Sequence, residues 1–339
     1  MNISVFAYTR QGMLTGEKTI SAFPNDEINF YAPQRICGGR YQQINSPTEY
    51  FYGDQFIRSD LLIIIGSCGI AVRLIAPHLQ NKGTDPAVLC VDDMGRYVIP
   101  LLSGHIGGAN KFAEKLAETL SAQAVITTAT DIHNRFSADS WAVRQGFIID
   151  NMALAKEVSA AILERDIPFC CQLPYLEPLP DGLFPDNFGS IGIFVGWEKC
   201  EPYEKTLRII PKCLHLGIGC RRRTSEGKIQ SIMENVLDKA NIDIRAIKCA
   251  ATIDLKSDEP GLLSFFRKTN IPINFYSADV LRTIPGEFCH SDFVEKTTGV
   301  DNVCERASMI GADKLILSKK ACDGVTIALA AELKEVTFE

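Results

Sequence analysis

Asp60-Leu61-Leu62-Ile63-Ile64-Ile65-Gly66 is an unbroken apolar run that stops at a glycine. It is too short for a core helix and rich in β-branched isoleucine, so it reads as a strand buried on both faces. Ala87-Val88-Leu89-Cys90-Val91 has the same character. Residues 96–102 form a further strand after the turn Asp93-Met94-Gly95, and residues 124–128 form the next. Between these runs the periodicity changes. Ile70, Leu74 and Ile75 share one helical stripe within residues 69–79. Phe112, Ala113, Leu116, Ala117 and Leu120 do so within residues 109–120. Buried strands alternating with helices predict an α/β domain over residues 1–135, with a mostly parallel sheet and flanking helices.

Further along, residues 136–212 read as a small middle region. It has a helical pattern over 153–163, a loop over 173–188 punctuated by Pro174, Pro178, Pro180 and Pro185, and a short strand over 190–195. A second α/β domain is expected over 213–339. Its strand over 214–219 leads into Arg221-Arg222-Arg223, and the next helix carries Ile229, Ile232, Met233, Val236 and Leu237 on one stripe. More strands are expected at 245–251, 273–276 and 314–317, and more helices at 261–268, 278–282 and 302–310.

Composition narrows the function classes. The chain has 339 residues, 46% hydrophobic, with a net charge of −6. That charge argues against nucleic acid, which demands a basic footprint, but allows an anionic small molecule bound by local cations. No window of ~18 uninterrupted apolar residues is present, so no membrane partner is expected. The start, Met1-Asn2-Ile3-Ser4-Val5-Phe6-Ala7-Tyr8, reads as a first strand rather than a signal peptide. Twelve cysteines without CxxC spacing suggest free thiols in a reducing cytoplasm. His78, His133, His215 and His290 have no partner spacing that suggests a metal site, and none is expected.

In open parallel sheets, ligands bind beyond the carboxyl ends of strands. Three loops of the first domain are chemically rich there, and together they would wall one pocket. Ser103-Gly104-His105-Ile106-Gly107-Gly108-Ala109-Asn110 combines glycines that permit close backbone approach, a helix start, and a histidine that exchanges protons near neutral pH. Ser103 and Asn110 add neutral hydrogen-bonding groups. The plain alternative is a glycine-rich turn whose His caps a strand or helix. Thr127, Thr128, Thr130 and Asp131 supply a second loop, or simply a helix cap. Gly66-Ser67-Cys68-Gly69, with Arg73 on the helix after it, supplies the third. Asp92-Asp93 is either a turn or an orienting carboxylate for His105. Neither GxGxxG nor GxxxxGK[ST] is present, which disfavours nucleotide binding. In the last domain, Cys220, Arg221 and Arg222 follow a strand end and could grip anions, or form a solvated face.

The run Gly69-Ile70-Ala71-Val72-Arg73-Leu74-Ile75-Ala76-Pro77, the 103–110 loop, and Val125-Ile126-Thr127-Thr128-Ala129-Thr130-Asp131 resemble the amino-terminal domain of the cobalt-precorrin-5A hydrolases, the cobalamin-biosynthesis G proteins of the anaerobic pathway. Leu216-Gly217-Ile218-Gly219-Cys220-Arg221-Arg222, Lys256, Glu259, Gly261-Leu262 and Lys319 resemble that family's carboxyl-terminal domain. Val303-Cys304-Glu305-Arg306-Ala307-Ser308 departs from the small, Ala-rich helix of the family pattern. The resemblance implies a cobalt-corrinoid substrate, hydrolysis of its ring-A δ-lactone, and loss of C20 as acetaldehyde. It implies no cofactor, since the cobalt belongs to the substrate, and it allows transient contact with neighbouring pathway enzymes. A non-catalytic carrier of corrinoid intermediates is the alternative. Within that reaction His105 would serve as general base, N–H groups near residues 107–109 as oxyanion donors, and Thr127, Thr128 and Asp131 as positioning groups. Ser67, Ser103, Gly104, Gly107, Gly108, Asn110 and Thr130 would line the substrate site, with Arg73, Arg221 and Arg222 as carboxylate clamps.

Overall fold

The computed structural model describes every residue except Arg40, Ser46, Lys82, Gly83, His105, Ile106, residues 128–134 and Glu339. It divides into two compact units, Met1–Ser140 and Trp141–Glu339. Both are mixed α/β with mostly parallel pairing.

The first unit is built on one sheet. Its strands are β1 (Asn2–Ala7), β2 (Glu27–Ala32), β3 (Gln42–Gln43), β4 (Leu61–Ile65), β5 (Ala87–Val91), β6 (Tyr97–Leu102) and β7 (Gln123–Ala124). They lie in the order β3-β2-β1-β4-β5-β6-β7. Helices α1 (Arg10–Ile20), α2 (Thr48–Arg58), α3 (Cys68–Ile75) and α4 (Ala109–Leu120) cover it. The apolar run of β4 explains the layering, because side chains alternate along a strand. Leu61, Ile63 and Ile65 share a core with Ala109, Ala113 and Leu116 of α4. Leu62 and Ile64 share the opposite core with Tyr52 and Phe56 of α2 and Ala71 and Ile75 of α3.

One strand departs from the parallel expectation. β6 pairs antiparallel with β5, with Val91 opposite Val98 and Val88 opposite Leu102. β7 runs parallel to β6. The carboxyl ends of β6 and β7 therefore open beside the amino ends of β4 and β5. Helix α3 is also shorter than expected: a 3₁₀ turn, Ala76–His78, takes over where Pro77 enters.

The second unit holds two sheets. The first contains β8 (Ile148–Ile149), β9 (Ile167–Cys171), β10 (Leu183–Pro185), β11 (Ile191–Val195) and β12 (Lys205–Ile210), in the order β10-β9-β11-β12-β8. The short strand β10 sits inside the stretch expected to be loop, where its edge position tolerates Pro185. The other sheet contains β13 (Leu214–Cys220), β14 (Ile247–Ile253), β15 (Ile273–Tyr276), β16 (Lys314–Cys322) and β17 (Val325–Ala331), in the order β15-β14-β13-β17-β16. Its β16–β17 hairpin runs antiparallel, against the parallel β13, β14 and β15.

Two features tie these sheets together. Near the chain end, Phe338 stacks on the fully buried Trp141 with ring centroids 5.6 Å apart, and Trp141 Nε1 donates to Thr337 O at 2.8 Å. The second is a buried ion-pair network. Arg208 of β12 donates to Asp243 Oδ2 at 2.9 Å, and Arg245 donates to the same carboxylate at 2.7 and 3.0 Å. Those N–H groups hold the Asp243 carboxyl well below the usual aspartate range, against the opposing effect of its burial.

Candidate active site

The 103–110 loop begins with Ser103 in the left-handed region at φ 54°. Its Oγ donates to Asp85 O at 2.9 Å, which anchors the loop beside the start of β5. The Ala109 N–H donates to Ser103 O and the Asn110 N–H to Gly104 O, both at 3.1 Å. The loop thus folds back on its own helix. This closure explains its glycines. A Cβ on Gly107 would stand 2.5 Å from Ser103 Cβ and 3.0 Å from Ser103 O. Gly108 caps α4 at φ 76°, a conformation that favours glycine. Asn110 is buried, and its side chain packs against Gly104.

Two of the first N–H groups of α4 are therefore already bonded within the loop. The N–H of Ala109, one of the expected oxyanion donors, is thus engaged in that closure. His105 lies outside the described residues, as do Thr128, Thr130 and Asp131.

The sheet register decides which loops share this end. Thr127 is exposed and follows β7, which is parallel to β6, so it lies at the same end of the sheet as Ser103. Ser67 lies at the other end. Ile65 is level with Val91 and hence with Val98, whereas Leu102 is level with Val88. At ~3.3 Å per residue, Ser67 and Ser103 are separated by roughly 20 Å along the strands. Ser67 instead caps α3, accepting from the Ile70 N–H at 3.4 Å. Ser67 therefore does not share a pocket with the 103–110 loop as expected, because an antiparallel β6 carries that loop to the opposite edge. Arg73 is exposed on α3.

Asp92 and Asp93 also lie at the far end and do not reach toward the loop. Asp92 accepts from the backbone N–H groups of Met94, Arg96 and Tyr97, and Asp93 accepts from Thr9 Oγ1. The turn reading of this pair is the one the structure supports.

In the second unit, Cys220, Arg221 and Arg222 line a cavity of about 540 Å³ at the carboxyl ends of β13 and β14. Arg222 is already engaged, since its Nη1 donates to both Asp258 oxygens at 3.0 Å and its Nη2 to Leu255 O at 3.2 Å. That pairing holds the Asp258 carboxyl below its ordinary range. Burial pushes the Cys220 thiol up, against the nearby Lys256 ammonium. Thr252, Lys256 and Lys319 line the same cavity and were not expected as site residues. Lys256 carries the available signal: it is a cation just beyond the end of an apolar strand, where the carboxyl-end rule looks for ligands.

The histidines fall into other roles. His215 is buried, with Nδ1 2.7 Å from Ile310 O, and His78 packs beside the Phe56 ring. His290 forms an exposed cluster with Asp292 and Glu295, and His133 lies outside the described residues.

Two family models match these regions. Residues 51–131, which hold the 103–110 loop, match the family described as Cobalamin synthesis G N-terminal. Residues 214–330, which hold the cavity, match Cobalamin synthesis G C-terminus. The chain is 35% identical over 293 residues to the cobalt-precorrin-5A hydrolase of Priestia megaterium, covering 79% of this chain and 78% of that one. It is 32% identical to the enzyme of the same name from Salmonella typhimurium, covering 79% and 81%. A third relative, Protein CobE of a Sinorhizobium species, is 31% identical over 121 residues, 34% of this chain and 79% of its own. With both families matched in order and both longer relatives covered over most of their length, this chain belongs to the cobalamin synthesis G family.

Proposed function

We propose that this chain is a hydrolase of anaerobic cobalamin biosynthesis that opens the ring-A δ-lactone of cobalt-precorrin-5A. The observation that carries the reading is the 35% identity, over 79% of the chain, to a relative named for that activity.

The reaction balances without an external electron carrier. Water adds to the lactone carbonyl and the acyl–oxygen bond breaks, giving the ring-A carboxylate and a hydroxyl on C20. As that hydroxyl loses its proton, its oxygen forms a carbonyl and the bond joining C20 to the macrocycle breaks. The electron pair stays with the macrocycle, and C20 leaves with its methyl group as acetaldehyde, giving cobalt-precorrin-5B. Such chemistry needs no redox cofactor, and the cobalt arrives with the substrate.

His105 is the general base that takes the proton from water. The N–H groups of Gly107 and Gly108 stabilise the oxyanion, because the loop closure already occupies those of Ala109 and Asn110. Thr127, Thr128, Thr130 and Asp131 follow the neighbouring strand β7 and position water or the ring-A acetate. Ser103 holds the loop to Asp85 and so sets the direction of approach. All twelve cysteines are unpaired, which supports a reducing, cytoplasmic setting. Among the described residues no helix is long and apolar enough to cross a membrane. Handover of the product to neighbouring pathway enzymes is by transient contact.

Isotope labelling tests the hydrolytic step. In water enriched in ¹⁸O, the product is expected to carry one label in the ring-A acetate carboxylate, read by mass spectrometry. Acetaldehyde release with an unlabelled product would rule out lactone hydrolysis.

A further inference from the structure

We propose that the cavity of the C-terminal sheet binds a carboxylate arm of the corrinoid substrate, held by Lys319 and Arg221. This rests on the hydrolase reading for the identity of the ligand, but not for the existence of the site.

The first support is position. The cavity lies at the carboxyl ends of β13 and β14, the end of a parallel sheet where ligands bind.

Charge is the second support. Of the cations around the cavity, Arg222 is paired with Asp258, and Lys256 Nζ lies 3.4 Å from the buried Glu259. Asp323, the acid among the lining residues, is paired with Lys228 at 2.6 Å. Glu305 is fully buried beneath, where it accepts from the Asn302 side chain and from the N–H groups of Cys289 and Lys319. Among the described residues, Arg221 and Lys319 have no ion-pair partner. The cavity thus keeps unneutralised positive charge in a chain whose net charge is −6. The Glu305 bond to its backbone N–H, at 2.7 Å, fixes Lys319 in place on β16.

Shape is the third. The volume of about 540 Å³ falls within the usual ~300–1,000 Å³ of small-molecule sites. Ile253, Val294, Val303 and Val325 give it apolar walls. Apolar walls with cations match the edge of a macrocycle, with hydrocarbon ring and ionised arm together.

The test uses the full chain and cobyrinic acid, a stable cobalt corrinoid whose side arms end in free carboxylates. Lys319→Met is expected to weaken binding about tenfold or more, the loss of one charge-assisted contact. Lys320→Met, its exposed neighbour outside the cavity, is expected to bind as the parent does. Arg221→Met removes the other unpaired cation and is expected to weaken binding by a similar factor. Methyl-esterified cobyrinic acid is expected to bind weakly to all of them. Unchanged binding of the free acid by Lys319→Met and Arg221→Met would overturn the assignment. If the chain releases no acetaldehyde from cobalt-precorrin-5A yet binds cobyrinic acid in a Lys319-dependent way, the hydrolase reading falls and the cavity assignment stands.

Discussion

Replacing His105 with alanine is expected to lower kcat for acetaldehyde release by about 10²–10⁴-fold, the usual worth of a positioned general base. The base role of His105 follows from the company it keeps. Its loop is closed by Ser103, Gly107, Gly108 and Asn110, which hold one another through backbone bonds and close contacts. None of those groups takes up a proton near neutral pH, whereas imidazole does. The pH profile separates a base from a loop support. A base gives the parent an acid limb in kcat/KM that His105→Ala lacks. A merely structural His lowers the rate of the variant at every pH and leaves the limb in place. Turnover by His105→Ala at the parent rate would remove the base assignment altogether.

The second large effect is on stability. Asp243→Ala is expected to cost about 3 kcal/mol, toward the lower end of what removing one member of a buried ion pair costs. It leaves Arg208, whose side chain is only 9% exposed, without its 2.9 Å partner. The cost is not larger because Asp150 also pairs with Arg245, at 2.6 Å, and lies 3.5 Å from Arg208. The pH dependence has a definite sign. The folded carboxyl ionises below its unfolded value, so its contribution is fully present above about pH 4. It drains away as pH falls toward the folded value. Urea titrations from pH 7 down to pH 3 are therefore expected to show the parent losing its advantage over Asp243→Ala. A constant difference across that range would contradict the ion-pair account.

Much of this architecture is legible in the chain. The runs at 61–65 and 87–91 announce buried strands because they are apolar throughout, too short for a core helix and rich in β-branched residues. Helix α4 falls on residues 109–120 as its stripe predicts. What the runs do not announce is direction. An unbroken apolar strand reports burial on both faces and reads the same parallel or antiparallel. The signal was nonetheless present: only residues 92–96 separate β5 from β6. A parallel crossover needs a dozen residues or more, so that link had to be a hairpin. That hairpin keeps Ser67 off the edge of the sheet that carries Ser103.

The cavity was legible only in part. Cys220, Arg221 and Arg222 stand out as a basic turn after a strand. Their neighbours come from distant stretches: Thr252 from the end of β14, and Lys319 from a hairpin whose return strand, β17, the periodicity did not reveal. The engagement of Arg222 was equally hidden, because Asp258 lies 36 positions away. Sequence spacing identifies a residue's own element, while partners across elements depend on how the sheets are ordered.

The most direct test of the account is anaerobic incubation of the purified full chain with cobalt-precorrin-5A, with acetaldehyde measured over time. The account predicts many molecules of acetaldehyde per chain, well above the uncatalysed rate, with cobalt-precorrin-5B formed in step. Stoichiometric binding of the corrinoid, with acetaldehyde at the uncatalysed level, would contradict it and make the chain a carrier.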